Sequence, residues 1–134
     1  QDPAFTRNRI RHSVIPLLLQ ENANLLRTVE QMWRQARLDQ SLFQQELEAL
    51  RAFEVHRPEA ILLPKETLAA THPALRLRWY RDVLNRLGPG QVLAPNLFAL
   101  DRLMDRSGTI QFPGSKQAVV DRDWVSFQFC RWTG

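Results

Sequence analysis

From Leu25 to Leu50 the apolar residues keep a single period, and this restricts the fold more than any other feature of the chain. Leu25, Val29, Met32, Trp33, Ala36, Phe43, Leu47 and Leu50 recur at helical steps, while Gln44, Gln45, Glu46, Glu48 and Arg51 largely take the remaining face. Such spacing lays one apolar stripe along an α-helix. The pattern predicts a helix beginning near Ala23, where Glu21-Asn22-Ala23-Asn24 supplies capping residues, and running almost to Arg57-Pro58. About 34 helical residues would extend roughly 50 Å, enough to connect two domains. A break near Asp39-Gln40-Ser41 into two packed helices satisfies the same pattern.

The flanking segments have other textures. Ile10, Val14, Leu17 and Leu18 predict a first helix over residues 7–20, in which Pro16 removes a backbone bond to His12 and bends the helix. After Pro58, Ala60-Ile61-Leu62-Leu63 reads as a short buried strand closed by Pro64, and Lys65 to Ala70 as a short helix. Thr71 or His72 caps the next helix, with Pro73 in its first turn and Gly88-Pro89-Gly90 as its stop. Pro95 to Asp105 is a further helical stretch. Past Gly108 the period shortens to two at Ile110 and Phe112, Ala118 and Val120, and Val125, Phe127 and Phe129. Pro113-Gly114-Ser115 and Asp121-Arg122-Asp123 punctuate these three strands into an antiparallel meander. The expected class is α+β, mostly helical: long N-terminal helices with no strand before residue 58, then a small domain of helices and a short antiparallel sheet. Its core should include Leu63, Leu75, Tyr80, Leu84, Leu100, Val120 and Phe127.

Composition narrows the partners. Of 134 residues, 44% are hydrophobic and 24% charged, the balance of a soluble globular protein rather than of a disordered tail. No run approaches the roughly 18 to 20 apolar residues of a membrane span. One cysteine, Cys130, forms no internal disulfide, and with His12, His56 and His72 scattered singly no metal site is expected; a cytoplasmic location fits. The first residues, Gln-Asp-Pro-Ala-Phe-Thr-Arg, lack an initiating Met and read as the cut end of a longer chain. All basic residues but Lys65 and Lys116 are Arg, whose rigid donor fork suits phosphates and base edges; the net charge of +4 is modest, and an Arg bias also follows from GC-rich coding.

No Gly-rich phosphate cradle, nucleophile elbow or metal-binding helix motif occurs, so no catalytic residue is assigned. Asp101 with Asp105, and Asp121 with Asp123, read as solvated pairs. The candidate nucleic-acid-binding residues are Arg7, Arg9, Arg11 and His12, crowded at the start of the first helix, and Arg78 and Arg81, on the far side of the helix that buries Tyr80, Val83, Leu84 and Leu87. Arg76 falls on the apolar side of that helix and is expected to pair with a carboxylate or backbone carbonyls. Trp33, Trp79, Trp124 and Trp132 read as core rather than stacking platforms, with Trp132 the possible exception.

Arg7-Asn8-Arg9-Ile10-Arg11-His12, followed by Val14-Ile15-Pro16-Leu17-Leu18 and Asn22-Ala23-Asn24, resembles the RNRIRH…LLP.L…NPN passage of tRNA(Ile)-lysidine synthases, with Ala23 where that family commonly has Pro. In the family this passage closes the N-terminal ATP-pyrophosphatase domain. Leu62-Leu63-Pro64 through Leu68, Pro73-Ala74-Leu75-Arg76-Leu77-Arg78 and Val83-Leu84-Asn85-Arg86-Leu87-Gly88 resemble its central substrate-binding domain, and the strands after Gly108 fit that domain's end.

The resemblance implies residues 1–20 as the tail of a catalytic domain, 21–57 as a connecting helix or helix pair, and 58–134 as a small α+β substrate-binding domain. It implies a ligase that adenylates the wobble cytidine of a tRNA(Ile) with a CAU anticodon and joins lysine to it, with ATP, magnesium and lysine serving the longer parent. The family's SGGxDS phosphate loop is absent from this sequence, so the chain by itself is expected to be non-catalytic and to hold no cofactor. Two readings compete with tRNA contact. One is a noncatalytic protein-interaction module docking a partner through the long amphipathic helix. The other, a DNA-binding regulator, lacks helix-turn-helix spacing with a polar recognition face. Ile10, Val14 and Leu17, if exposed, could also pair two copies into a homodimer.

Overall fold

The computed structural model describes residues 3–130. Its elements are α1 (Pro3–Arg9), a π-helical turn (Ile10–Val14), α2 (Ile15–Glu21), α3 (Leu25–Arg51), β1 (Val55–Arg57), β2 (Ala60–Pro64), α4 (Lys65–Ala70), α5 (Pro73–Leu87), α6 (Ala94–Asp101), β3 (Gly108–Phe112), β4 (Lys116–Val120) and β5 (Trp124–Phe129). The class is α+β and mostly helical. The chain divides into two compact units, Gln1–Leu42 and Phe43–Gly134.

In the first unit the helix expected over 7–20 starts earlier, at Pro3, and is interrupted by the π turn. The Ile15 N–H donates to the carbonyl of Ile10, five residues back. Pro16 has no N–H for the His12 carbonyl. A turn widened by one residue just before the proline lets the helix continue past it. Asn22 leaves the helix in an extended conformation, and its Oδ1 accepts the Asn24 N–H at 3.0 Å. α3 therefore begins at Leu25, slightly later than the pattern suggested, and passes unbroken through Asp39-Gln40-Ser41, one helix rather than two. No described residue of this unit is buried. Trp33, expected in a core, is 58% exposed, with the Arg37 guanidinium 4.8 Å from its ring centroid. Periodicity says which residues share a face; it does not supply something to cover that face.

The second unit corrects the reach of the long helix. α3 ends at Arg51, and the N–H groups of Phe53 and Glu54 close it with short-range bonds to the carbonyls of Leu50 and Arg51. Val55–Arg57, expected to be helical, is instead an edge strand before residue 58, paired antiparallel with Ala60–Leu62. Pro58 disfavours the helical conformation for Arg57, and the exposed edge of β2 offers Val55–Arg57 the bonds the helix could not.

The sheet order is β1-β2-β5-β4-β3, all pairs antiparallel. The expected meander is β3-β4-β5, and β2 joins it beside β5. Burial alternates along β2, β4 and β5, so one sheet face is buried and the other half-exposed. The buried face supplies Ile61, Leu63, Ala118, Val120, Val125 and Phe127 to a core completed by Trp79, Tyr80, Val83 and Leu84 of α5 and by Leu47, Leu68, Leu97 and Leu100. Of the seven anticipated core residues, only Leu75 sits at the margin, partly buried. α6 ends at Asp101 rather than continuing to Asp105, giving way to turns.

Candidate nucleic-acid interface

α5 carries two of the candidate residues, and its limits follow from local chemistry. His72 accepts the Ala74 N–H on Nδ1 at 3.1 Å, capping the first turn, Pro73 follows at the position that needs no N–H, and Gly88 ends the helix. Trp79, Tyr80, Val83 and Leu84 face the core, leaving Arg78 and Arg81 exposed on neighbouring positions of the opposite side. The two differ in what they already touch. The Arg78 guanidinium lies 3.9 Å from the ring centroid of Phe43, a cation–π contact, whereas Arg81 makes no polar contact with a described residue.

Arg7 and Arg9 lie in the last turn of α1, and Arg11 and His12 in the π turn. All four are exposed, and none pairs with a described carboxylate. The candidate residues are thus four in the first unit and two in the second.

Arg76 does what its place on the apolar side required. Its Nε and Nη2 donate to the two carboxylate oxygens of Asp101 at 2.6 and 2.8 Å, and its Nη1 donates to the carbonyls of Leu68 and Thr71, each at 3.3 Å. The second pair closes the C-terminal end of α4. Asp101, expected to be solvated beside Asp105, is instead a structural partner whose side chain is 20% exposed; it also accepts the Tyr80 hydroxyl at 3.0 Å. The i, i+4 spacing to Asp105 does not survive because α6 stops at Asp101, and α6 packs against α5 with the Asp101 carboxylate on Arg76. The bond to Asp101 holds Arg76 above its ordinary range, and burial, reinforced by the adjacent Asp101 charge, pushes the Tyr80 hydroxyl well above the usual phenol range.

A second network had no counterpart in the sequence reading. Glu54, whose side chain is wholly buried, accepts from both terminal nitrogens of Arg86, from Trp79 Nε1 at 2.8 Å and from His56 Nε2 at 2.9 Å. Arg86 Nε and Arg51 both donate to Asp82, joining the end of α3 to α5. Burial works to raise Glu54, but its donors outweigh it and hold the carboxyl below its ordinary value. The i, i+4 spacing of Asp82 and Arg86 was the available signal. Lys116 is fully buried, its ammonium donating to the carbonyls of Leu84 and Gly88 at 3.0 and 2.8 Å where α5 ends. The period of two already put Lys116 in phase with Ala118 and Val120.

A cleft of about 500 Å³ is bordered by Lys65, Glu66, Arg76, Asp101, Asp105 and Arg122. Three cations face three carboxylates, so it presents no net charge to an anion. Lys65 is occupied there, donating to the carbonyls of Arg106 and Asp121. The described residues hold no cluster of His, Cys, Asp and Glu suited to a metal ion, and no helix among them is long and apolar enough to cross a membrane. Trp132 lies outside the described residues.

No family model matches the chain. The tRNA(Ile)-lysidine synthase of Nitratidesulfovibrio vulgaris is 36% identical to it over 143 residues, covering 92% of this chain and 41% of the relative. The chain thus spans about two fifths of that relative's length. Identity at this level over 92% of the chain shows that the chain belongs to the tRNA(Ile)-lysidine synthase family.

Proposed function

We propose that this chain is the tRNA-contacting region of an ATP-dependent ligase that converts the wobble cytidine of a tRNA(Ile) with a CAU anticodon to lysidine. In this reading residues 1–20 close the catalytic domain of the parent, 21–57 connect, and 58–134 bind substrate. ATP with magnesium and lysine serve the parent, a cytoplasmic enzyme, and the chain alone forms no lysidine. The observation that carries the reading is the 36% identity over 92% of the chain to a protein named for this product. Arg7, Arg9, Arg11, His12 and Arg81 add to it, being exposed and without carboxylate partners among the described residues.

Phosphate contact releases counterions, so tRNA affinity should fall with salt by a log–log slope of roughly 0.7 to 0.9 per contact. Replacing Arg78 and Arg81 together should reduce that slope by somewhat under two, Arg78 contributing by leaving its ring. Incubation with ATP, lysine and the tRNA should give no lysine incorporation by the chain alone. Absence of salt-dependent tRNA binding by the wild-type chain would overturn the reading.

A second reading, a protein-interaction module, is favoured by one observation. Phe5, Leu17, Leu26, Met32, Trp33 and Leu38 are all exposed in the first unit. It gains if tRNA binding fails.

A further inference from the structure

The half-exposed face of the sheet carries a largely polar row that includes none of the candidate RNA-binding residues. Strand register sets Arg57 opposite Ala60, Ala60 opposite Gln128, Gln128 opposite Gln117, and Gln117 opposite Gln111. These five residues therefore form a straight line across all five strands, roughly 19 Å long at the usual strand spacing. Gln111 Nε2 donates to Gln117 Oε1 at 3.1 Å, while Gln111 Oε1 accepts from Cys130 Sγ. The Gln128 amide makes no polar contact with a described residue.

Charge on this face is one-sided. No strand of the sheet contains an Asp or Glu, and Arg57 is its outward cation. The turns joining the strands hold Glu59, Asp121 and Asp123, and Asp121 Oδ1 is engaged by the N–H groups of Asp123 and Trp124. The helix-covered side differs, with Glu54, Asp82 and Asp101 all committed to ion pairs. The strands themselves therefore set no carboxylate against an anionic partner.

The kind of anion follows from the side chains. Each amide offers both donors and an acceptor, which suits hydroxyl groups and base edges better than phosphate alone. Splayed, unstacked bases need aromatic platforms. Here the central outward positions are Gln128, Ser126, Gln117 and Val119, and among the described outward strand positions the aromatic ring is Trp124, at the end of β5. A double-helical RNA stem instead presents a wide, shallow minor groove lined with 2′-hydroxyls. We infer that the Arg57–Gln128–Gln117–Gln111 row is a docking surface for the minor-groove side of an RNA stem. The inference rests on the tRNA reading above and assigns stem contact to the sheet, separately from Arg78 and Arg81 on α5.

The test uses this chain with a tRNA(Ile) transcript and with a stem duplex prepared in ribose and 2′-deoxyribose forms. Gln117→Ala with Gln128→Ala should weaken tRNA binding about tenfold while leaving thermal melting unchanged, since both side chains are only half-buried and outside the core. Gln117→Glu with Gln128→Glu should weaken it further by placing carboxylates against the stem. The wild type should prefer the ribose duplex, and the alanine pair should lose most of that preference. Wild-type affinity in both glutamine pairs, or equal binding of the two duplexes by the wild type, overturns the inference. If this occurs while Arg78→Ala with Arg81→Ala still reduces the salt slope, tRNA contact stands and only the sheet assignment falls. If the wild type binds no tRNA, both fall.

Discussion

Replacing Arg76 with Met tests whether this helix separates a structural guanidinium from RNA-facing ones. The substitution keeps the aliphatic stem but deletes two bonds to Asp101 and two to the carbonyls that end α4. Side chains of the pair are 15% and 20% exposed, so water can partly re-solvate Asp101, and the cost should fall below the 3–5 kcal/mol typical of a fully buried pair. We expect about 2–3 kcal/mol, which for a domain of this size lowers Tm by roughly 10–20 °C. Tyr80 remains bonded to Asp101, which limits the loss. The assay is urea and thermal denaturation of Arg76→Met, Asp101→Leu and the double variant. Because each single change strands a partner, the double variant should be more stable than the sum of the singles predicts, by at least 1 kcal/mol in order of magnitude. A loss under about 0.5 kcal/mol in Arg76→Met, the scale of an ordinary surface substitution, or strict additivity in the cycle, would refute the reasoning. The salt slope of tRNA binding, measured where the variant is folded, should not change.

Glu54 is held below its ordinary value in the folded chain, so its contribution is complete above an unfolded value of about 4.3 and is lost as pH falls through the lower folded value. Melts from pH 7 to pH 3 should show a steeper acid loss for wild type than for Glu54→Gln, itself destabilised by about 2–3 kcal/mol at pH 7; parallel curves would contradict this. Gly114 has φ of 85°, and a Cβ there would lie 2.1 Å from the Pro89 carbonyl oxygen, so Gly114→Ala should cost at least about 1–3 kcal/mol in denaturant titrations. An unchanged midpoint would mean that the β3–β4 turn does not press on the loop after α5. Lys116→Met should lower stability by about 1–3 kcal/mol, because the Leu84 and Gly88 carbonyls lose a charged donor in a buried place. A more stable variant would show that desolvation of the ammonium outweighs its bonds.

Features that depend on neighbours along the chain were legible before the fold was known. Proline and glycine placed the ends of α5, the period of two set β3–β4–β5 and its turns, and the helical period put Tyr80, Val83 and Leu84 inside with Arg78 and Arg81 outside. Arg76 could be read as structural because an ion on an apolar stripe must find a partner. The partner itself, Asp101, lies 25 residues away, and only the packing of α6 against α5 brings its carboxylate there. The same holds for Val55–Arg57, whose helical period yielded to an open strand edge and the backbone restriction before Pro58. It holds also for Trp33, whose apolar stripe is left exposed. The glutamine row is the extreme case, since Gln111, Gln117 and Gln128 have nothing in common along the chain and are aligned only by strand register. Local interactions are encoded residue by residue, whereas register and partner choice are settled by long-range pairing, which no single segment specifies.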